Sequence, residues 1–186
     1  VTVLDLTSVI SGPLATSILA DQGARVIKVE SPNGDSMRMA GALKGGVSSL
    51  FSSINRNKES IALDLRAPEA IEIINKIAAR ADICIQNYRP GVVEKLGIGY
   101  EHLKKINPEL IYASISGVGA EGPYSGRRVY DPVIQAYAGF ASAQTANGKP
   151  GLIKMMICDK VTSLTMAQAI TAALYRRAMT GEGDSI

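Results

Sequence analysis

The sequence contains a single histidine, His102, two cysteines and no tryptophan. One histidine does not allow a convincing Ser-His-Asp or Cys-His set, and no cysteine or second histidine stands at a metal-ligand spacing from it. We therefore expect His102 at the surface and no metal site. Cys84 and Cys158 both lie in apolar stretches, which predicts reduced core residues in a cytoplasmic protein.

Long hydrophobic runs, a secretory signal and a strong charge imbalance are also missing. No apolar run approaches the length of a membrane span. The net charge of +3, without a long basic run, gives no reason to expect nucleic acid as a partner. We predict one domain over residues 1–186, a length sufficient for a substantial core. The chain starts without methionine and stops at TGEGDSI with no obvious closing element, so we expect part of a longer protein.

Neither of the common glycine-rich phosphate-binding motifs is present. The loop from Thr7 to Gly12 has one glycine where a dinucleotide pyrophosphate needs several, so NAD is disfavoured. Glu30 stands where a ribose-binding acid would, but a solvated strand end or a capping partner is the simpler interpretation. The loop SGVGAEGPYSG lacks the Lys-Ser or Lys-Thr ending of a P-loop, although its glycines could let the backbone approach a ligand.

The first organised stretch, from Val3 to Glu30, is a strand, a helix and a second strand. Pro13 suits the first helical position, and Gly23 can take the left-handed turn that closes the helix. Two apolar strands joined by a helix of this length imply a right-handed parallel crossover. The stretch predicts a doubly wound α/β fold with a mainly parallel sheet, in which ligands bind at the carboxyl ends of the strands.

Later segments continue the alternation of helices and strands. Helical spacing predicts a helix over Ala67 to Arg80, and apolar runs predict strands over Asp82 to Ile85 and Leu110 to Ile115. Gly148 to Met156 is interpreted as a turn with a strand-like segment before the longest helix. Ser31 to Gly46 has no convincing period and predicts a mobile loop over the strand ends, where binding residues often lie.

Polar residues at two strand borders could bind phosphate or a nucleotide. One buried strand is followed by Asn87, Tyr88 and Arg89, whose ring could stack on a base while the guanidinium pairs with phosphate. Alternatively, Asn87 and Arg89 cap the helix that follows. Arg56 and Lys58 precede another strand and could meet phosphate, but a solvated turn is the favoured interpretation.

Asp159 stands at the start of the longest predicted helix and has two interpretations. Its carboxylate could cap the free N–H groups of that helix. The same position favours the ionised form, and an ionised, positioned carboxylate is what covalent catalysis on an activated acyl group requires. Spacing alone favours the cap.

A series of motifs runs in order along nearly the whole chain: LDLTSVISGP, LADQGARVIKVESPNGDSMR, NRNKESIALDL, ADICIQNYRPGVVEKLGIGYEHLKKINPELIYASISGVGAEGPYSG, YDPVIQAYAGF and CDKVTSLTMAQAITAALYRRAMTGEG. This series resembles the family III CoA-transferases, the formyl-CoA and carnitine CoA-transferase group, which also includes the α-methylacyl-CoA racemases. The resemblance covers about the N-terminal half of a family member. It implies a Rossmann-like large domain in an interlocked homodimer, with coenzyme A and acyl-CoA as substrates and no prosthetic group.

The resemblance also implies roles for individual residues. Asp159 matches the nucleophile, which attacks an acyl-CoA thioester to form an aspartyl-acyl anhydride and then an aspartyl-CoA thioester, from which an incoming carboxylic acid takes the CoA. Ser31 replaces an arginine that meets CoA in some members, and Arg38 stands nearby. The remaining positions that match CoA-contacting residues are Leu63, Asn87, Tyr88 and Lys95 at the nucleotide, Arg128 near the 3′-phosphate ADP, and Val9 and Ile10 at the thioester end.

Three functions remain open at this stage. A CoA-transferase is favoured over an acyl-CoA racemase because Tyr130 stands where the racemases carry a histidine base. A tyrosine phenol, with an ordinary pKa of about 10, is a poor base near neutrality. The third possibility is a non-catalytic CoA- or nucleotide-binding module. We expect the 186 residues alone to be inactive and to expose apolar surface, because the family's pocket is completed by a second domain and a second subunit.

Overall fold

A six-stranded parallel sheet lies at the centre of the computed structural model, which describes residues 1–186. The strands in chain order are β1 (Thr2–Asp5), β2 (Arg25–Glu30), β3 (Leu43–Lys44), β4 (Val47–Ser48), β5 (Lys58–Ala62), β6 (Ile83–Gln86), β7 (Ile111–Ser114) and β8 (Asp184–Ser185). The sheet has the order β5-β2-β1-β6-β7-β8, and every pairing in it is parallel. Strands β3 and β4 form a separate antiparallel pair.

Helices cover both faces of this sheet. They are α1 (Ser11–Asp21), α2 (Ser49–Ile54), α3 (Pro68–Ala78), α4 (Val92–Lys95), α5 (Tyr100–Ile106), α6 (Asp131–Tyr137), α7 (Phe140–Ala143) and α8 (Ile157–Thr180). None of them, α8 included, combines the length and the hydropathy that crossing a bilayer requires.

Successive side chains of a strand point to opposite faces of the sheet, so the core consists of two layers, one on each face. Val3 packs with α1 and α8 on one face of the sheet, and its neighbour Leu4 packs with α3 and α5 on the other. Ile83 and Cys84 divide in the same way along β6. Strands that are apolar on both faces belong in the middle of a parallel sheet, so the predicted doubly wound α/β fold is confirmed.

The order of the strands reverses between β1 and β6. From β1 the chain builds outward through β2 to β5, and it then returns to place β6 on the other side of β1. At such a switch point the loops after two adjacent strands diverge and leave a crevice between them. The loops after β1 and β6 therefore border the natural ligand site of this sheet.

Four local expectations from the sequence were wrong. Helix α1 begins at Ser11, two residues before Pro13, and the segment over Gly148 to Met156 contains no strand of the sheet. The stretch over Ser31 to Gly46 is not a continuous loop, since it contains a 3-10 helix over Ser36–Met39 and strand β3, which pairs with β4 just beyond it.

The fourth concerns the last residues, where the sequence indicates no regular element but the structure has a strand. Asp184–Ser185 adds β8 to the edge of the sheet beside β7. Gly183 allows this addition, because any side chain there would collide with the carbonyl groups of Pro108 and Leu110. Such a short parallel edge strand has too little hydrophobic pattern to be recognised from its sequence.

Candidate active site

A cavity of about 470 Å³ opens at the switch point of the sheet. Its walls come from the loops after β1, β6 and β7, from the segment that precedes α6, and from the first turns of α6 and α8. Five residues to which the resemblance gives a catalytic or CoA-binding role meet on these walls: Val9, Asn87, Tyr88, Arg128 and Asp159. Its volume falls in the range of small-molecule sites in proteins.

Asp159 lies half-buried on the cavity wall, two residues after α8 begins. It does not cap its own helix, since α8 begins after Met156 without any side-chain cap. Instead, the backbone N–H of Asp159 donates to Oδ2 of Asp131, at 3.0 Å. The cap expected of Asp159 is thus supplied by Asp131, and the Asp159 side chain remains on the cavity wall.

Asp131 was not assigned a role from the sequence, and the structure places it among the residues that line the cavity. It is buried at the first position of α6, and its Oδ1 accepts a hydrogen bond of 2.6 Å from Nε2 of Gln135. The Gln135 side chain also bonds the backbone of Ile153 in both directions. The only sequence signal is an acid that opens a helix, which is common enough to pass unnoticed.

The electrostatic environment of Asp159 differs from the expectation based on its helix. Burial raises the pKa of Asp159 and the negative charge of Asp131 raises it further, while a hydrogen bond from the Ser11 hydroxyl opposes the rise. Burial and the negative charge of Asp131 thus oppose the lowering of this pKa that the position of Asp159 in the first turn of α8 predicts.

Asn87 connects the two loops that border the crevice. Its Nδ2 donates to the Ser8 carbonyl oxygen at 2.7 Å, and its Oδ1 accepts from the Ser8 N–H at 2.9 Å. The alternative role for Asn87 and Arg89 as helix caps is wrong, because α4 begins after Gly91 with no side-chain cap. Tyr88, next to Asn87, is partly buried against the layer of the core that contains α3 and α5, and this burial raises the pKa of its phenol.

Three arginines, Arg89, Arg127 and Arg128, are exposed on the cavity wall. The Arg127 guanidinium lies over the ring of Tyr124, with 4.8 Å between its Cζ and the ring centroid. Arg89 and Arg128 form no salt bridge within the chain. Guanidinium groups are well suited to phosphate oxygens, which they can bind through two parallel hydrogen bonds.

Val9 has a strained backbone. Its φ of 69° lies in the left-handed region, which a β-branched residue very rarely occupies. Such a conformation costs about 1–3 kcal/mol and persists only where the surroundings impose it. Val9 lines the cavity, whereas the side chain of Ile10 is buried in the protein and does not.

Three other residues named from the resemblance lie away from this cavity. Arg38 pairs with Glu30 through two hydrogen bonds of 2.7 Å, Leu63 packs against the α3 layer, and Lys95 is exposed at the end of α4. Their roles, like that of Ile10, stay predictions. Glu30 is buried, so its interpretation as a solvated strand end was wrong, and the hydrogen bond from Arg38 lowers its pKa to about 2.

The remaining candidates from the sequence also take up positions outside the cavity. His102 is at the surface, as expected, with Nε2 3.2 Å from Oδ1 of Asn75. Arg56 is exposed and bonds Asp21, in keeping with a solvated turn. The Lys58 side chain is instead buried, with its Nζ 3.1 Å from Oδ2 of Asp5.

Comparison with known proteins identifies the family. The model of CoA-transferase family III matches residues 1–186, which is the whole chain. The chain belongs to CoA-transferase family III. It is 43% identical over 187 residues to the acetyl-CoA:oxalate CoA-transferase of Acetobacter aceti, covering 99% of this chain and 48% of that protein. It is 42% identical over 186 residues to the human succinyl-CoA:glutarate CoA-transferase, covering 98% of this chain and 42% of that protein.

A solved structure supports the fold of this family III chain. The crystal structure of a CaiB/BaiF family protein from Brucella suis superposes with a TM-score of 0.95 at 40% sequence identity, covering 100% of this chain and 51% of that one. The family III chain thus spans about half the length of the relatives it matches. Its crevice between β1 and β6 forms within this half.

Proposed function

We propose that the full-length protein containing this chain is a CoA-transferase that moves CoA from an acyl-CoA thioester to a carboxylic acid, with Asp159 as the nucleophile. The observation that carries the proposal is the place of the Asp159 carboxylate on the wall of the switch-point cavity, with the α8 N-terminus capped by another residue. Because Asp131 supplies the cap, Asp159 is available for a substrate.

The chemistry proceeds through the Asp159 carboxylate. One carboxylate oxygen attacks the thioester carbonyl, the C–S bond breaks, and CoA leaves as a thiolate from an aspartyl-acyl anhydride. The thiolate then attacks the aspartyl carbonyl, which releases the donor's acid as a carboxylate and leaves an aspartyl-CoA thioester. The acceptor carboxylate attacks this thioester, its C–S bond breaks, and CoA leaves as a thiolate from a second anhydride between Asp159 and the acceptor. The thiolate then attacks the acceptor's carbonyl, which forms the new acyl-CoA and releases Asp159 as a carboxylate. The raised pKa of Asp159 supports this role, since a more basic carboxylate is the stronger nucleophile once it is ionised.

We assign the CoA moiety to the part of the cavity wall that carries Arg89 and Arg128. Arg89 and Arg128 supply positive charge for its phosphates, and the Tyr88 ring offers an aromatic surface beside them. Val9 borders the same cavity near the proposed thioester end, and Asn87 holds the loop that carries it. Arg38, Leu63, Lys95 and Ile10 are retained as CoA-contacting predictions that rest on the family resemblance.

We further propose that these residues form the N-terminal, CoA-binding part of a longer cytoplasmic protein, which assembles as an interlocked homodimer. The length of the matched relatives supports the first half of this proposal. Exposed apolar side chains along α8, which include Leu164, Tyr175 and Met179, support the second, because an additional partner would bury them.

Racemisation receives no support from the site. A two-base racemase needs a second proton-transfer group near Asp159. The one histidine of the chain, His102, lies on α5 and not on the cavity wall, and Tyr130 occupies the wall instead.

The decisive experiment traps the covalent intermediate in the full-length protein. Incubation with a panel of acyl-CoAs followed by hydroxylamine should produce an aspartyl hydroxamate in the peptide that contains Asp159, as detected by mass spectrometry. The peptide with Asp131 is an internal control and should stay unmodified, as should both peptides without acyl-CoA. Turnover by an Asp159→Asn variant at the wild-type rate, or an active enzyme with no modified Asp159, would refute the assignment.

A further inference from the structure

The turn Thr7–Val9, called here the Val9 turn, is held by side chains from outside it. The Thr7 N–H donates to Oδ1 of Asp5 at 2.9 Å, and the Thr7 carbonyl accepts from Nζ of Lys28 at 2.8 Å. The Val9 N–H donates to Oδ1 of Asp35 at 3.4 Å. Asn87 bonds the N–H and the carbonyl oxygen of Ser8 between them. Together these bonds surround the residue with the strained backbone and contribute to imposing its conformation.

Two of the side chains that bond this turn, those of Lys28 and Asp35, form a buried ion pair with each other. Lys28 Nζ lies 3.2 Å from Oδ2 of Asp35, and the two side chains are only 2% and 1% exposed. Lys28 is on β2, and Asp35 belongs to the loop that follows this strand. Each member of the pair thus bonds both its partner and the backbone of the Val9 turn.

Stability alone does not explain such a pair. Removing two charges from water carries a desolvation penalty that their attraction rarely exceeds, and apolar replacements of similar size are often as stable. A buried pair does fix the relative position of the groups it bonds. The position of the Val9 turn affects the shape of the proposed site, because Val9 lines the same cavity as Asp159.

We infer that Lys28 and Asp35 are positioning residues, which hold the Val9 turn in its left-handed conformation so that the bound thioester meets Asp159 in a reactive geometry. The inference rests on the proposed function. Without the pair, Val9 relaxes to an ordinary negative φ and the wall beside the nucleophile shifts. Small displacements of this kind chiefly impair the chemical step, and they affect ground-state binding less.

The test compares steady-state kinetics of the full-length protein with those of two matched double variants. Lys28→Met/Asp35→Leu replaces the pair by apolar side chains and should lower kcat by about 10- to 100-fold, while KM for acyl-CoA changes by less than about twofold. Arg177→Met/Asp82→Leu removes a pair, joined at 2.7 Å, near the amino ends of the strands and should leave both constants unchanged.

A rescue experiment separates positioning from a purely structural role. Glycine reaches a positive φ without being forced, so Val9→Gly added to Lys28→Met/Asp35→Leu should restore kcat by about tenfold. Thermal unfolding verifies that each variant is folded. Where the double variant is unfolded, Asp35→Ala takes its place, because it removes the acceptor of the Val9 N–H, and the same loss and the same rescue are expected.

Either wild-type kcat in the folded pair variant or no recovery with Val9→Gly overturns the inference. Failure of the proposed function has a different signature. In that case the wild-type protein shows no CoA transfer, or Asp159→Asn remains active.

Discussion

At the scale of single residues, the site depends on two acids with different tasks. Asp131 is buried, and its two carboxylate oxygens accept hydrogen bonds from the Gln135 side chain and from the N–H of Asp159. Asp159 retains a side chain on the cavity wall. The negative charge of Asp131 also raises the pKa of Asp159, so one residue both holds the proposed nucleophile and tunes its basicity.

Asp131→Asn should therefore move the acid limb of the kcat/KM profile to lower pH. The nucleophile must be ionised, so activity falls as the pH drops through the pKa of Asp159. Removal of the Asp131 charge lowers this pKa, while the amide oxygen of asparagine can still accept from the Asp159 N–H. The measurement is kcat/KM of the full-length protein against pH.

The matched control for this experiment is Asp82→Asn. Asp82 also accepts a backbone hydrogen bond, at 2.7 Å from Thr2, but it lies at the amino ends of the strands. Its replacement should leave the acid limb in place. An acid limb that does not move in Asp131→Asn, or that moves to higher pH, would contradict the electrostatic role.

At the scale of elements, a second buried ion pair connects the sheet to α1. Lys58 on β5 reaches across β2 to Asp5 on β1, and its Nζ also donates to the Pro13 carbonyl oxygen in α1 at 2.8 Å. The Lys58 and Asp5 side chains are 2% and 0% exposed. Burial lowers the pKa of Lys58 to about 8. Lys58 still carries its charge near neutrality because the negative charge of Asp5 opposes the effect of burial.

Lys58→Met should destabilise the protein by about 3–5 kcal/mol at neutral pH, because it leaves the Asp5 carboxylate buried with its main partner removed. Arg25→Met is the matched control in the same part of the sheet. The pair of Arg25 and Glu59 is 61% and 58% exposed, and its loss should lower the free energy of unfolding far less than the loss of the buried pair. Urea midpoints of the three full-length proteins provide the comparison. Equal shifts for the two variants would show that the buried pair contributes no more than the exposed one.

At the scale of the whole molecule, α8 has two apolar faces. Ala167, Ile170 and Ala173 pack into the core beside α1. Leu164 and Tyr175 are exposed on the other side of the helix, in line with Met179. A row of exposed apolar side chains is typical of an interaction surface, so this row on α8 is the surface that the proposed dimer and second domain would cover.

The isolated 186-residue chain should consequently bind an apolar dye more strongly per mole than the full-length protein, and it should show no CoA transfer. The dye responds to the exposed apolar side chains of α8, and no activity is expected because the family resemblance implies a pocket that a second domain and a second subunit complete. Parallel dye titration and transferase assays of the two proteins test both expectations. Measurable turnover by the 186 residues would disprove the need for the remainder.

The sequence by itself determined the alternation of helix and strand, the parallel sheet and the edge at which the site lies. These properties follow from the spacing of apolar residues within short segments, as in the stretch from Val3 to Glu30. It also singled out Asp159, whose place at the start of a long helix is a local property, and the family motifs strengthened that choice.

Only the tertiary structure decided which polar groups meet. Asp131 and Asp159 are 28 residues apart, and Asn87 is 79 residues from Ser8, so no local pattern connects either pair. Lys28 is opposite Asp5 in a register that appears only once β1 and β2 have paired. Hydrophobic periodicity specifies which faces are buried, but the partners of buried charges depend on how distant segments pack, and here that packing shapes the proposed site.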